Sequence, residues 1–423
     1  MRKHLLTLAV AASAMMATAQ DNNLGDLTVD FQLRTRGEYN NGVGSPRNEG
    51  ELSNLSINDR ARLGITWARQ GLSVRLAGQQ SGFWGGEGIK DQQTQFGIHE
   101  AWAKLQSASG YFLQVGRQTL VYDDERLLGG LDWHVVGNHH DALRMGYAGK
   151  ADQLHLILAY NNNGAARDGN YYDAKMPYKT MQTLWYHHNF QAPLQMSLLL
   201  MSLGREAGEA GCGNTRYLFT YGTYLTYKPT ADWAFNATLY AQTGQAATGV
   251  SKRAWMANFD ARYSYGAGYS TLLGVDVLSG AAAGDTHSTN FEPLYGTHHK
   301  FYGAMDYFYA NSWKNGNPGL IDIKLTEGLK FSPKVNGTVA LHEFLTARDY
   351  KDRLDLDRTL GTECDLQLNW TLQKNVTLQA GYSVMFGTKT LDYFKGGSHD
   401  SWQDWGWVSL NINPQIFSTK HQK

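Results

Sequence analysis

The stretch from Leu27 to Tyr39, LTVDFQLRTRGEY, constrains the fold of the whole chain most tightly. Leu27, Val29, Phe31 and Leu33 fall on one face, and Asp30, Gln32, Arg34, Arg36 and Glu38 on the other. Successive side chains of a strand point to opposite faces, so this is a β-strand with one apolar and one charged surface. TLGTECDLQLNWTL repeats it, with Leu360, Cys364, Leu366, Leu368, Trp370 and Leu372 opposing Glu363, Asp365, Gln367 and Asn369. In NVTLQAGYSVMF, Val376, Leu378, Tyr382, Val384 and Phe386 oppose Thr377, Gln379 and Ser383.

A soluble sandwich also alternates, so three further features decide. The strands run to roughly 10–15 residues, the length of a tilted membrane span with extensions rather than the ~5–6 of globular sheets. Aromatic residues gather at strand ends on the apolar face, at Trp67, Tyr227, Trp233, Tyr265, Tyr269 and Phe331, where interfacial girdles would lie. Turns alternate short and long. Beyond the N-terminus the longest apolar run, around Ser197–Met201, is far below the ~18–20 residues of a membrane helix.

Residues 1–19 read as a secretory leader: Arg2 and Lys3, an apolar run from Leu5 to Met16, and Ala17-Thr18-Ala19 before Gln20. Residues 20–423 then form a single barrel domain. Lys+Arg and Asp+Glu number 38 each, and loss of Arg2 and Lys3 leaves an excess of two acids. That balance gives no reason to expect a nucleic-acid partner. Cys212 and Cys364 lie in different contexts and read as unrelated free thiols.

The short turns are Arg69-Gln70, Ser107–Ser109, Gly149-Lys150, Gln191-Ala192, Pro229-Thr230, Gly266-Ala267, Ser332-Pro333 and Gln373-Lys374. Eight hairpins plus a first and a last strand predict 18 antiparallel strands, an all-β, up-and-down transmembrane barrel. KFYGAMDYFY at 300–309 alternates like a strand, but counting it breaks the parity. Residues 281–317 are therefore expected to form one long outer loop able to fold into the mouth. The last strand, from about Trp402, closes on Phe417, similar to the aromatic-ended insertion signal of outer-membrane barrels.

Several segments together resemble the alginate export family of outer-membrane barrels, in its Bacteroidetes-type members. They are Phe31-Gln32-Leu33-Arg34-Thr35-Arg36, Asn58-Asp59-Arg60-Ala61-Arg62-Leu63-Gly64, His99-Glu100-Ala101-Trp102, and Gly116-Arg117-Gln118 through Asp141-Ala142-Leu143-Arg144. Phe291-Glu292-Pro293-Leu294-Tyr295-Gly296, His299–Gly303, Leu360–Glu363 and Gly381-Tyr382-Ser383 continue the match across the mature chain. The resemblance implies an 18-stranded barrel in the bacterial outer membrane. It also implies a pore lined by basic residues, gated by long loops, through which an anionic polysaccharide passes. The substrate of this chain is left open.

By parity the basic lumenal set is Arg34, Arg36, Arg60, Arg62, Arg75, Arg144, Lys252, Arg262, Lys324 and Lys330, against Asp30, Glu38, Asp260, Asp276, Asp322, Glu363 and Asp365. Arg34, Arg36, Arg60, Arg62 and Arg75 should share one wall. Guanidinium groups bind carboxylates bidentately and stay charged, so this wall could lower the barrier for an acidic solute. The alternative is pairing with Asp30, Glu38, Glu363 and Asp365 to stiffen the barrel. Arg117 falls on the lipid face by strict parity, which points to a bulge or the exit of its strand from the bilayer.

Between strands five and six, YDDERLLGGLDW carries Asp123, Asp124, Glu125, Arg126 and Asp132. The expectation is a constriction loop whose acids pair with Arg126, Arg144 or the arginine wall. Calcium binding by consecutive acids is the lesser alternative. His139-His140, His187-His188 and His298-His299 offer one inward ligand each at most, so no metal and no cofactor are predicted. Besides membrane lipid and an anionic solute, a periplasmic partner is left unspecified. Two other function classes stay open: a plugged barrel acting in surface binding or assembly, and, less favoured, a barrel hydrolase using His342 and Ser383.

Overall fold

The computed structural model describes residues 24–86, 95–161, 176–190, 193–207, 213–281, 285–308, 313–350 and 355–420. The leader segment and Cys212 lie outside them. The strands are β1 (Asp26–Asn41), β2 (Asn54–Arg69), β3 (Leu72–Phe83), β4 (Gln95–Gln106), β5 (Tyr111–Gln118), β6 (His140–Ala148), β7 (Asp152–Tyr160), β8 (Thr180–Asn189) and β9 (Leu194–Ala207). They continue as β10 (Asn214–Tyr227), β11 (Trp233–Gln245), β12 (Ser251–Gly266), β13 (Tyr269–Leu278), β14 (Leu320–Ser332), β15 (Val335–Leu345), β16 (Thr359–Gln373), β17 (Val376–Gly387) and β18 (Gln403–Ile412). A short β19 (Gln415–Ser418) carries β18 onward past Asn413-Pro414. Proline has no N–H for the ladder, and its carbonyl instead accepts from Phe31 N at 3.0 Å.

Each strand pairs antiparallel with its neighbours in sequence, and β1 pairs with both β2 and β18, so the sheet closes on itself with 18 staves. Seven of the eight short turns fall where the alternation places them, and the eighth, Gln191-Ala192, lies outside the described residues. Among the described residues no helix is long and apolar enough to cross a membrane. The polarity is inverted relative to a soluble barrel. Leu63, Leu200, Leu239, Leu273, Ile323 and Leu366 are exposed on the outside, whereas Arg60, Gln242, Asp276, Asp322 and Glu363 are fully buried inside. Only a surface facing hydrocarbon makes that arrangement favourable. Tyr227, Trp233, Tyr265, Tyr269 and Phe331 stand exposed near the short turns, the positions of an aromatic girdle.

Two bulges break the simple parity. Ala77 faces Glu100 and Gly78 faces Ile98, so His99 is an inserted residue and both His99 and Glu100 point inward. The second lies where Phe344 pairs Gly361 and Leu345 pairs Thr359. It turns Leu360, expected on the lipid face, into a fully buried interior residue. Two glycines admit ion pairs that span a whole strand. A Cβ on Gly64 would lie 2.6 Å from Asp30 Oδ1 and 2.8 Å from Arg75 Nη2. A Cβ on Gly274 would meet Asp260 Oδ1 at 2.2 Å and Lys324 Cε at 2.4 Å. Arg75 of β3 thus crosses β2 to Asp30 of β1, and Lys324 of β14 crosses β13 to Asp260 of β12.

Candidate functional site

Two loops fold into the lumen and fill its middle. The first joins β5 to β6; the second joins β13 to β14. In the second, described residues 285–308 and 313–319 form no strand and a single 3-10 turn at His298–Lys300, so the KFYGAMDYFY alternation does not add a stave. The loops interlock through their backbones. Gly129 N donates to Tyr295 O at 3.0 Å, Tyr295 N to Leu127 O at 3.0 Å, and Thr297 N to Glu125 O at 2.8 Å. The Thr297 hydroxyl donates to Glu125 Oε2 at 2.7 Å and accepts from Leu131 N at 2.9 Å. Leu120, Leu127 and Leu128 pack with Phe291, Tyr302, Met305 and Tyr307 into an apolar centre that continues onto buried strand residues such as Met181, Met201, Leu218 and Met256. Asp123, Glu125, Leu131, Leu294, Tyr302 and Asp306 all adopt left-handed backbone, with φ between 46° and 72°. Such residues cost about 1–3 kcal/mol each and persist where surrounding contacts over-determine them.

The first loop lies against the arginine wall. Arg60 Nη2 donates to Asp132 Oδ1 at 2.6 Å, and its Nη1 makes longer contacts with Asp132 O at 3.4 Å and His134 O at 3.3 Å. Arg34 donates to the carbonyls of Asp132 and, at 3.0 Å, His134. Arg36 donates to Trp133 O at 3.0 Å, lies 3.8 Å over the Trp133 ring, and pairs with Glu38 at 2.8 Å. Arg62 reaches Gln79 at 2.6 Å and Val136 O at 3.5 Å. The wall faces the lumen but is not an open array, since Arg34 and Arg36 are 5% exposed and Arg60 0%. Among the described residues these four guanidinium groups form ion pairs with two carboxylates, Glu38 and Asp132. The protein crowded around the lumen raises the Asp132 carboxyl although the side chain itself is open to the lumen, but Arg60, Arg34 and Arg62 outweigh this and hold it below the usual carboxylate range.

At the other end of the loop, Arg126 is driven into the opposite wall. It pairs with Asp276 at 2.6 Å and Asp124 at 2.7 Å, donates to Tyr302 OH at 3.2 Å, and stacks 4.1 Å over Phe301. Burial opposes its charge, yet Asp276 and its neighbours hold it well above the ordinary arginine value. Asp123 accepts from Trp185 Nε1 at 3.0 Å, from Tyr240 OH at 3.3 Å, and from Ser197 Oγ. Its carboxyl is pushed up by burial, against the pull of those donors. Each acid of the Asp123-Asp124-Glu125 run is therefore engaged by protein groups. Among the described residues no set of three His, Cys, Asp or Glu side chains is arranged to hold a metal ion.

The second loop grips the wall it faces. Met305 N donates to Glu363 Oε1 at 2.8 Å and Ala304 N to Asp365 Oδ2 at 3.2 Å, so these acids hold loop amides rather than arginines. Glu292 bridges Lys252 at 2.8 Å and Arg205 at 2.7 Å. Burial raises its carboxyl, and the two bases pull it below its ordinary value. Lys324 pairs with Asp276 at 2.9 Å and Asp260 at 3.0 Å. Arg262 lies nearer the short turns, 3.3 Å from Ser270 Oγ. Arg144 donates to Gln114 at 2.7 Å, and Arg75 joins Asp30 at 2.8 Å and Glu100 at 2.6 Å. Arg117 and Asp141 form a bidentate pair of 2.8 and 2.9 Å on the outer face, beside the long-loop ends of β5 and β6. Strand exit rather than a bulge thus accounts for Arg117.

The interior is polarised across its width. β1–β6 present Arg34, Arg36, Arg60, Arg62, Arg75, Arg144 and Lys104, whose inward position follows from the outward Leu105, against Asp30, Glu38 and Glu100; β12–β16 present Asp260, Asp276, Asp322, Glu363 and Asp365 against Lys252, Arg262 and Lys324. A cavity of about 750 Å³ remains between the loops and the short-turn end, lined by Trp133, Phe301 and Trp407 with Asp124, Lys300, Lys324, Arg262 and Asp365. Sequence reasoning missed Glu100 because of the bulge, and Glu292, Trp133 and Tyr302 because loop residues carry no parity.

No curated protein matches the chain. Solved structures share its fold. Pseudomonas aeruginosa OccK9 (OpdG) superposes with a TM-score of 0.65 at 13% identity, covering 93% of this chain and 99% of that one. Acinetobacter baumannii OccAB1 gives 0.62 at 12%, covering 94% and 99%. Pseudomonas aeruginosa OpdK, solved with vanillate, gives 0.60 at 12%, covering 92% and 98%. The family model described as Alginate export matches residues 26–392. With a closed 18-stranded barrel, an apolar belt and a charged lumen, this is an outer-membrane transport channel, and the chain belongs to the alginate export family.

Proposed function

We propose that the channel carries anionic solutes or acidic oligosaccharides through a constriction made by the two lumenal loops. The observation that supports this reading most directly is the excess of guanidinium over carboxylate on the wall of β1 and β2, where, among the described residues, Arg34, Arg36, Arg60 and Arg62 form ion pairs with Glu38 and Asp132 alone, while Glu100 and Asp306 act on Arg62 and Arg36 from farther away. A surplus of fixed positive charge in a low-dielectric passage lowers the entry cost of anions and raises that of cations. Arg144 of β6 adds to the basic side, whereas Arg75 is balanced by Asp30 and Glu100, and Lys324 and Arg262 offer isolated basic steps on the acidic side toward the short turns.

The test is the reversal potential of purified protein in a planar bilayer across a salt gradient. Anion preference is expected, and neutralising Arg34, Arg36, Arg60 and Arg62 together should abolish it while raising conductance, because the loop loses its anchor. Unchanged selectivity in that variant would overturn the mechanism. A second reading, a plugged barrel serving surface binding or assembly, draws on the apolar centre formed by Leu128, Met305 and Tyr307. It predicts no conductance even after both loops are shortened. The hydrolase alternative has weaker support: His342 contacts Asp322 at 2.8 Å and Asp365 at 3.7 Å, and no hydrogen bond joins it to Ser383 among the described residues.

A further inference from the structure

We infer that residues 131–136 are a built-in competitor for the acidic group of the solute, and that the constriction yields when an incoming carboxylate takes the place of Asp132 on Arg60 and Arg34. The inference rests on the reading of the channel as one for anions. The Asp132 side chain is 70% exposed to the lumen while the Arg60 side chain beneath it is 0% exposed. The carboxylate therefore stands on the one open side of a guanidinium that barrel and loop otherwise enclose.

The present occupant satisfies the arginines incompletely. Arg34 Nε and Arg60 Nε are buried without a hydrogen-bond partner. Arg60 receives one short carboxylate contact, and its other contacts, to neutral carbonyls, are 3.3 and 3.4 Å long. Charge-assisted, bidentate pairing is roughly twice as strong as pairing with a neutral acceptor. A free carboxylate can offer both oxygens where Asp132, tied to its own backbone, offers one. Releasing Asp132 costs little desolvation, because it is already open to water. Arg34 and Arg36, whose N–H donors are now taken by the carbonyls of Asp132, Trp133 and His134 along the wall, become available to a flexible acidic chain once the first exchange has occurred.

The experiment measures the concentration at which trigalacturonate half-blocks the current through the full-length channel, with maltotriose as the uncharged control. Wild type is compared with Asp132→Asn and Asp132→Glu. Removing the competing charge should lower the half-blocking concentration of trigalacturonate about three- to fivefold, the scale of a largely exposed ion pair. The glutamate variant should stay near wild type, and the maltotriose response should not move in any variant. Equal trigalacturonate values in wild type and Asp132→Asn would overturn the inference, as would a shift shared by maltotriose. Asp132→Ala serves the same comparison should the asparagine variant not assemble, which heat-modifiable migration on a gel reveals. A wild-type channel without anion preference would defeat the reading of the channel itself; anion preference with an unmoved half-blocking concentration would defeat only the competitor.

Discussion

Replacing Arg126 by methionine keeps an unbranched apolar side chain but removes the guanidinium, which lies 4.1 Å over Phe301, and its charge from the most enclosed ion pair among the described residues. Arg126 is 3% exposed and Asp276 0%, at 2.6 Å, with Asp124 at 2.7 Å on the other side. Removing one partner of a buried pair costs roughly 3–5 kcal/mol, because the remaining charge is stranded. Lys324, 2.9 Å from Asp276, still compensates that carboxylate and places the loss at the lower end, about 3 kcal/mol. The backbone pairs joining the loops should then open about 150-fold more often. Amide hydrogen exchange reads this directly at Gly129, Tyr295 and Thr297, whose N–H groups donate across the loop–loop junction. Ladder amides of β10 are the internal control and should not change. A cycle with Asp276→Asn should return a coupling energy above about 1 kcal/mol. If junction exchange in Arg126→Met equals wild type, the ionic cluster does not hold the loops and the reasoning fails.

Acid should loosen the other anchor. The Asp132 pKa is held below its unfolded value of about 3.9, so its stabilisation is complete above that pH and disappears as pH falls through the folded pKa. Conductance should therefore rise reversibly below about pH 4, and the rise should be absent in Asp132→Asn. Glu292→Gln removes the shared partner of Lys252 and Arg205, which are 0% and 18% exposed. A loss of about 2–3 kcal/mol is expected, visible as a lower urea midpoint, with no loss refuting the bridge. At the outer rim, Arg117→Leu should destabilise more than the double change with Asp141→Leu, since the single variant leaves an unpaired carboxylate on the lipid side. Both side chains are about one-third to one-half exposed, so the intact pair itself contributes at most about 1 kcal/mol. Urea unfolding of the three variants in micelles distinguishes these, and additivity would contradict pairing.

The staves were legible because two independent rules agree in a membrane barrel: alternation fixes which face meets lipid, and the short turns fix how many times the chain crosses. Parity failed at His99-Glu100 and at Leu360 because a bulge inserts one residue and reverses every assignment beyond it until the register recovers. The loops were legible only as charge. Asp132 is visibly an acid in the sequence, but nothing local says that Arg60 of β2 stands opposite, or that the carbonyls of Trp133 and His134 occupy Arg36 and Arg34. A backbone carbonyl is present at every residue and carries no signature, so an arginine wall and an arginine wall already covered by chain read alike.

The coverage has a mechanical consequence. The basic wall holds the first loop by its carbonyls and the Asp132 carboxylate; the acidic wall holds the second loop by the amides of Ala304 and Met305, and the first by Arg126. Because Glu125–Gly129 and Tyr295–Thr297 are joined by backbone hydrogen bonds, neither loop can leave its wall without straining the other. The two anchors are unequal. The Arg126 cluster is enclosed on both sides, while Asp132 is mostly open to water. Opening should therefore begin at the arginine wall and pivot about Arg126, which makes the wall that attracts an anion also the wall from which the constriction departs.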